Sequence, residues 1–266
     1  ILLTDPFADW PMSPFGQILV FQSYNLMYFA EFQSAMTLIN NNLSKLSTWS
    51  VQLDFDKTTK GNLLHIYGQL LVRKQRVSEA IDFFFQAEDL FSSVDPDHPS
   101  IFTIQVILGE AYLEAGKYEQ ALSFLDNAIA VFPENRTDGR SYVAALVAKA
   151  ELNLGDVEQA HNTIHTYLDD PVDQRRDYFL FFSLVHLQVL HTLEIMDEYA
   201  VLAKDTYILA EQIGNADYLN EVRLHQGYIQ LMQGDPQSAA LTLSKAIDGD
   251  SDIKDSVMLN GYLWLV

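Results

Sequence analysis

Between Phe102 and Pro133 the chain reads FTIQVILGEAYLEAGKYEQALSFLDNAIAVFP, and this stretch dictates two helices folded back on one another. In its first half Ile104, Ile107, Leu108, Ala111 and Tyr112 recur at helical spacing; in its second Tyr118, Ala121, Leu122, Leu125, Ala128 and Ile129 do the same. Both helices are therefore amphipathic. Glu114-Ala115-Gly116-Lys117 lies between them and supplies a turn, with Gly116 where a helix can end in the left-handed conformation. Gly109 and Ala121 are small where the backbones must approach closely, and Pro133 is expected to end the second helix.

Leu108-Gly109-x-x-Tyr112, followed by Ala121, Ala128 and Pro133, resembles the tetratricopeptide repeat. The chain departs from that pattern at Gln105, where the family has an aromatic, and at Leu125, where it has Phe. Gln105 is expected to be half-exposed, and Leu125 keeps an apolar knob.

The rest of the chain reads as imperfect copies of this hairpin. Residues 1–14 hold three of the eight prolines and read as an extended lead-in packed by Phe7 and Trp10. A divergent first repeat follows from Phe15, with Ala30 to Met36 parallel to Gly116 to Leu122. The second runs from about Gly61 to Ser93 and carries Gly68, Ala80, Phe84 and Ala87. The fourth spans Ser141 to Pro171, with Ala148 where the third has Gly109 and Glu151 in place of the tyrosine, so that layer must pack differently. Asp177 to Gly214 is a degenerate fifth repeat: Ile195-Met196-Asp197 has no turn glycine, and Ala200 and Ala203 slip in register. The sixth, Asn220 to Asp248, recovers the signature with Gly227, Gly234, Ala239, Leu243 and Ala246. Repeat glycines lie further apart than the family's roughly 34 residues, so helices or loops are longer than minimal. The resemblance implies an all-α, right-handed superhelical solenoid of about six hairpins over residues 15–250. Residues 251–266 read as a capping helix or the start of a further repeat.

Composition excludes several classes. No apolar run approaches the roughly 20 residues of a membrane span; the longest, Phe179 to Leu190, is interrupted by His186 and Gln188. Cysteine is absent, which removes disulfides, thiolate metal sites and cysteine nucleophiles. The compartment stays open between the cytoplasm, slightly favoured, and export, because the chain opens at Ile1 without a Met or signal-peptide pattern and reads as a processed product or excised domain. A net charge of −20 is the wrong sign for a phosphate-binding surface, so no direct nucleic-acid contact is expected. From Asp177 to Val266 thirteen acidic residues oppose four basic ones, a local −9.

Two constellations suggest chemistry and fall short of it. His161 and His165 share a helix face at the spacing of zinc ligands, but no Glu follows the first and no third ligand is marked. Asp248-Gly249-Asp250-Ser251-Asp252 is similar to a calcium loop, yet Ile253 stands where Gly is needed and Leu259 where the closing Glu should be. Phosphate loops, dinucleotide fingerprints and nucleophile elbows are absent. The reading is non-enzymatic, with no cofactor and no metal.

What remains is the face that stacked first helices turn inward. The resemblance places on it Gln17, Tyr24 and Tyr28 from the first repeat; Asn62, His65, Gln69 and Arg73 from the second; Thr103, Glu110 and Glu114 from the third. Tyr142, Lys149 and Asn153 follow from the fourth, then Glu221 and Tyr228 from the sixth. Tyrosine gives contact area at low entropic cost and amides bond an extended backbone, so the set suits peptide capture. The Lys/Asn/Arg clamp with which chaperone co-factors of this family grip a C-terminal carboxylate is missing, because His65, Gln69, Val106, Glu110 and Leu146 occupy the equivalent positions. The first expectation is thus a scaffold binding a peptide or protein in its concave groove. The second is a peptide- or ligand-sensing region of a larger signalling protein or transcriptional regulator. Apolar ends leave self-association open.

Overall fold

The computed structural model describes residues 12–74, 76–132, 139–168, 176–214 and 216–247. Among them lie thirteen α-helices and no strand. The chain divides into two compact units, residues 1–133 and 134–266. The first holds α1 (Met12–Tyr28), α2 (Phe32–Asn40), the short α3 (Leu43–Thr48), α4 (Asp54–Arg73), α5 (Val77–Ser92), α6 (Pro99–Glu114) and α7 (Tyr118–Ala130). The second holds α8 (Arg140–Leu154), α9 (Val157–Tyr167), α10 (Arg176–Thr192), α11 (Met196–Ile213), α12 (Ala216–Met232) and α13 (Pro236–Ile247). Six antiparallel pairs result, α3 aside, and they make an all-α repeat fold.

The turns explain why the helices pair. Gly116 has φ of 69°, and the next amide, Lys117 N–H, reaches back to the carbonyl of Tyr112 at 2.9 Å. This satisfies an orphan carbonyl of the helix end. Gly155 and Gly234 repeat the arrangement, with Asp156 and Asp235 donating to Glu151 and Gln230 at 2.9 Å each. Two turns do it without glycine. Ala30 and Glu194 both have φ of 59°, and Glu31 and Ile195 donate to Leu26 and Leu190 at 2.7 and 3.0 Å. The fifth repeat thus lacks a turn glycine, as read from the sequence, and makes its turn at Glu194, one residue before Ile195-Met196-Asp197.

Close approach across each pair follows from size. A Cβ on Gly68 would lie 2.6 Å from Phe84 Cε1, one on Gly109 2.5 Å from Leu125, and one on Gly227 2.6 Å from Leu243. In the fifth pair the sizes are exchanged: Leu187 on the first helix packs with Ala203 on the second, and both are fully buried. Tyr199 fills the place that Ala80, Ala121, Ala160 and Ala239 hold elsewhere. The apparent slip in register is this exchange, and Ala200 has no part in it.

Several expectations need correction. α1 begins at Met12, so Met12, Ser13 and Pro14 are helical and not lead-in; residues 1–11 and 248–266, including the acidic Asp248–Asp252 segment and the expected cap, lie outside the described residues, as do Pro133 and Pro171. α4 begins at Asp54, seven residues before Gly61. α6 begins at Pro99, where His98 Nδ1 accepts from the Ser100 amide at 3.2 Å and the imidazole stacks on Phe91. Gln105 is buried, not half-exposed: its amide donates to Glu88 Oε1 on α5, and burial pushes that carboxyl above the usual range. The different packing expected at Glu151 is a polar pair, with Thr163 Oγ1 on α9 donating to the buried carboxylate at 2.8 Å.

Candidate functional site

The first helices of the two units carry the predicted face, and each unit treats it differently. In the first unit α1 lies against α4. Gln17, Tyr24 and Asn62 line a cleft between these helices of about 560 Å³, together with Val20, Phe21, Asn25, Phe55, Thr58 and Thr59. Three of its aromatics are open to solvent: Phe21 is 69% exposed, Phe55 57% and Tyr24 45%. Tyr28 lies further along α1, 84% exposed, with its ring edge-on to Phe29. No lining residue carries a formal charge at neutral pH, and burial raises the Tyr24 phenol above its ordinary value.

The remaining predicted residues of this unit are not part of that cleft. His65 is buried at 6% exposure and cannot meet a partner as the sequence reading supposed. Its Nε2 lies 3.2 Å from Gln69 Nε2, its Nδ1 has no partner, and burial, helped by His98, lowers its pKa to about 4. Arg73 is exposed, with its guanidinium 4.4 Å above the Phe32 ring. Thr103 and Glu110 are half-buried on α6 and Glu114 is exposed. A second cleft of about 670 Å³ opens between α1 and α2, lined by polar side chains from Gln22 to Asn41 with Leu26 and Leu38.

In the second unit the same face is knitted together. The Tyr142 ring lies 4.6 Å from Tyr178 and 5.1 Å from Phe181, and the Lys149 ammonium sits 5.5 Å from the centre of Phe181. Asn153 donates to the Lys149 carbonyl of its own helix at 2.7 Å. Glu221 accepts from Gln188 at 3.0 Å, and Tyr228 meets His191 at 4.9 Å and Tyr199 at 5.9 Å. Phe181 and Gln188 were missed because the fifth repeat was read out of register; Phe21 and Phe55 were missed because only one helical stripe was carried over and α4 was begun too late.

The histidine pair of α9 is real geometry, with the two Nε2 atoms 3.0 Å apart. His186 of α10 joins it, its ring 6.0 Å from that of His165. Among the described residues no group of three such side chains is placed to hold a metal ion.

Residues 60–134 match the family model described as tetratricopeptide repeat. That segment is similar to the tetratricopeptide repeat. Among solved structures of such helical arrays, the apo form of the quorum sensor NprR from B. thuringiensis is 13% identical, with a TM-score of 0.73, covering 97% of this chain and 71% of that one. PilF of Pseudomonas aeruginosa is 16% identical, with a TM-score of 0.59 and coverage of 92% and 96%. A Rap protein complexed with Competence and Sporulation Factor is 11% identical, with a TM-score of 0.60 and coverage of 95% and 79%. These likenesses extend the repeat fold beyond the segment that the family model matches. No curated protein matches the sequence. Among the described residues no helix of this repeat protein is long and apolar enough to cross a membrane.

Proposed function

We propose that this repeat chain is a non-catalytic binding scaffold, and that it captures a peptide or protein on the first-helix face of its first unit. One observation carries the reading. Phe21, Tyr24 and Phe55 stay in water around a concave site whose volume lies within the roughly 300–1,000 Å³ of ligand pockets. Exposed aromatics grouped around a cleft mark a place where something else is buried. Amides from Gln17, Asn25 and Asn62 add polar groups on the same wall.

A second reading, a sensing region within a larger regulator, is favoured by two of the neighbours: one is a quorum sensor, and another was solved with its factor bound. Both readings place the ligand on the repeats. The net charge of −20 argues against a nucleic-acid ligand in either case.

The test is affinity capture from source lysate with three forms of the chain. The first is wild type, the second Phe21→Ala with Tyr24→Ala, and the third Lys149→Ala with Asn153→Ala. The reading expects a partner held by the first and third and lost by the second. Retention by the second form would remove the cleft from the account.

A further inference from the structure

The chemistry lining the α1/α4 cleft narrows what can enter it. Three aromatic rings, Phe21, Tyr24 and Phe55, offer apolar contact. Of the polar groups, two are already used: Thr58 Oγ1 donates to the Asp54 carbonyl at 3.0 Å and Thr59 Oγ1 to the Phe55 carbonyl at 2.8 Å. Gln17, Asn25 and Asn62 make no side-chain hydrogen bond among the described residues. Each of these amides both donates and accepts. A peptide backbone, which alternates N–H and C=O, matches that mixture; a carboxylate or phosphate needs donors or cations only.

Nor, among the described residues, does a cation line the cleft. Lys57, one residue before Thr58, is paired with Asp54 at 3.3 Å, and Lys60, one residue after Thr59, donates to the Trp49 carbonyl at 2.8 Å. An ionised side chain entering the cleft would shed water and meet no opposite charge among the lining residues.

We propose that the cleft takes an extended peptide whose anchor is an uncharged apolar side chain, aromatic or branched aliphatic, seated among Phe21, Tyr24 and Phe55, with the flanking backbone bonded by Gln17, Asn25 and Asn62. This rests on the reading that the first unit's face binds the partner, and it adds the class of side chain recognised.

The probes are capped single residues: N-acetyl-L-tryptophanamide and N-acetyl-L-leucinamide, compared with N-acetyl-L-argininamide and N-acetyl-L-glutamic acid amide. Each is titrated into the isotopically labelled full chain and followed by NMR. The neutral pair should give saturable shifts at Phe21, Tyr24, Phe55 and Asn62, at least tenfold tighter than the charged pair. Phe55→Ala should weaken the neutral pair at least fivefold while its circular dichroism and Tm stay those of wild type, as an exposed ring predicts. Asn62→Ala should weaken both neutral probes by a similar factor, because their amides are the same.

Equal binding of the charged probes overturns the proposal, as do shifts confined to the α1/α2 cleft or no shift at the solubility limit. A concentration-dependent dimer broken by Phe21→Ala would give the cleft to a second copy, and cross-peaks from residues 1–11 to Tyr24 would give it to the chain itself; either also overturns it. The two readings fail separately. Capture lost in Phe21→Ala with Tyr24→Ala, without probe binding, leaves the face and removes the ligand class. Probe binding with capture intact does the reverse.

Discussion

The first-helix faces of the two units start from equivalent positions and end in opposite states. On α8, α10 and α12 the side chains at those positions are engaged, through Tyr142 and Lys149 against Phe181, Gln188 against Glu221, and Tyr228 against His191 and against Tyr199 of α11. On α1 and the start of α4, Gln17, Tyr24 and Asn62 line an open cleft, although His65, Gln69 and Arg73 further along α4 do not. A repeat framework thus decides where a side chain points, and the neighbouring helix decides whether it is free. The equivalent tyrosine is packed against neighbours as Tyr228 in one unit and stands open as Tyr24 in the other.

The contrast can be broken most severely at Tyr199. It is fully buried, bonded to His225 at 2.8 Å, and it fills the space that other repeats give to alanine. Tyr199→Ala should cost about 3–5 kcal/mol, as for other large aromatic truncations, whereas Phe21→Ala should stay within about 0.5 kcal/mol, as for surface changes. Chemical denaturation of the two variants checks both.

Acid should separate the units next. Burial, helped by neighbouring histidines, lowers His186 to about 4 and His225 to about 3, and lowers His65 to about 4. All three folded values lie below the unfolded one, near 6.5. Their contribution to stability is therefore complete above about pH 6.5 and is lost as pH falls toward the folded values. Between those limits each histidine removes about 1.4 kcal/mol per pH unit. The second unit holds two of the three, so its amides should lose protection against hydrogen exchange more steeply between pH 6.5 and 4. Equal slopes in both units would refute the assignment.

Overpacking is smaller. Gly109→Leu drives a side chain into Leu125, 2.5 Å from where its Cβ would sit, and should cost about 1–3 kcal/mol in denaturant. An unchanged midpoint would show that the α6–α7 interface yields more readily than its geometry implies. The smallest effect has the opposite sign. Glu194 holds a left-handed turn that Gly116, Gly155 and Gly234 hold without strain, so Glu194→Gly should raise stability by up to about 1 kcal/mol. A fall in Tm would mean that the Glu194 side chain contributes more than its backbone strain costs.

What the sequence discloses follows the same logic. The third and sixth hairpins were legible because a glycine at the crossing, a large residue facing it and a glycine at the turn all appear as letters in fixed places: Gly109, Leu125 and Gly116, then Gly227, Leu243 and Gly234. The fifth was not, because Leu187 and Ala203 put the large residue on the first helix and the small one on the second, to a sum within one methyl group of the usual pair, and a pattern of single letters cannot see a sum. Gln105 looked out of place until Glu88, seventeen residues earlier, supplied its partner. The candidate face was legible as positions and illegible as availability. His65 has the right phase but is buried, and Tyr142 points correctly but leans on Tyr178 and Phe181 of another repeat. Phe55 was hidden by a helix boundary set seven residues late.

The central claim is that binding belongs to the open face and not to the knitted one. Its most direct measurement is the affinity of the captured partner for three forms of the chain: wild type, Phe21→Ala with Tyr24→Ala, and Tyr142→Ala with Lys149→Ala. The account predicts at least tenfold weaker binding for the first-unit pair and wild-type affinity for the second-unit pair once both are shown to be folded. Weakening by the second-unit pair alone would contradict it.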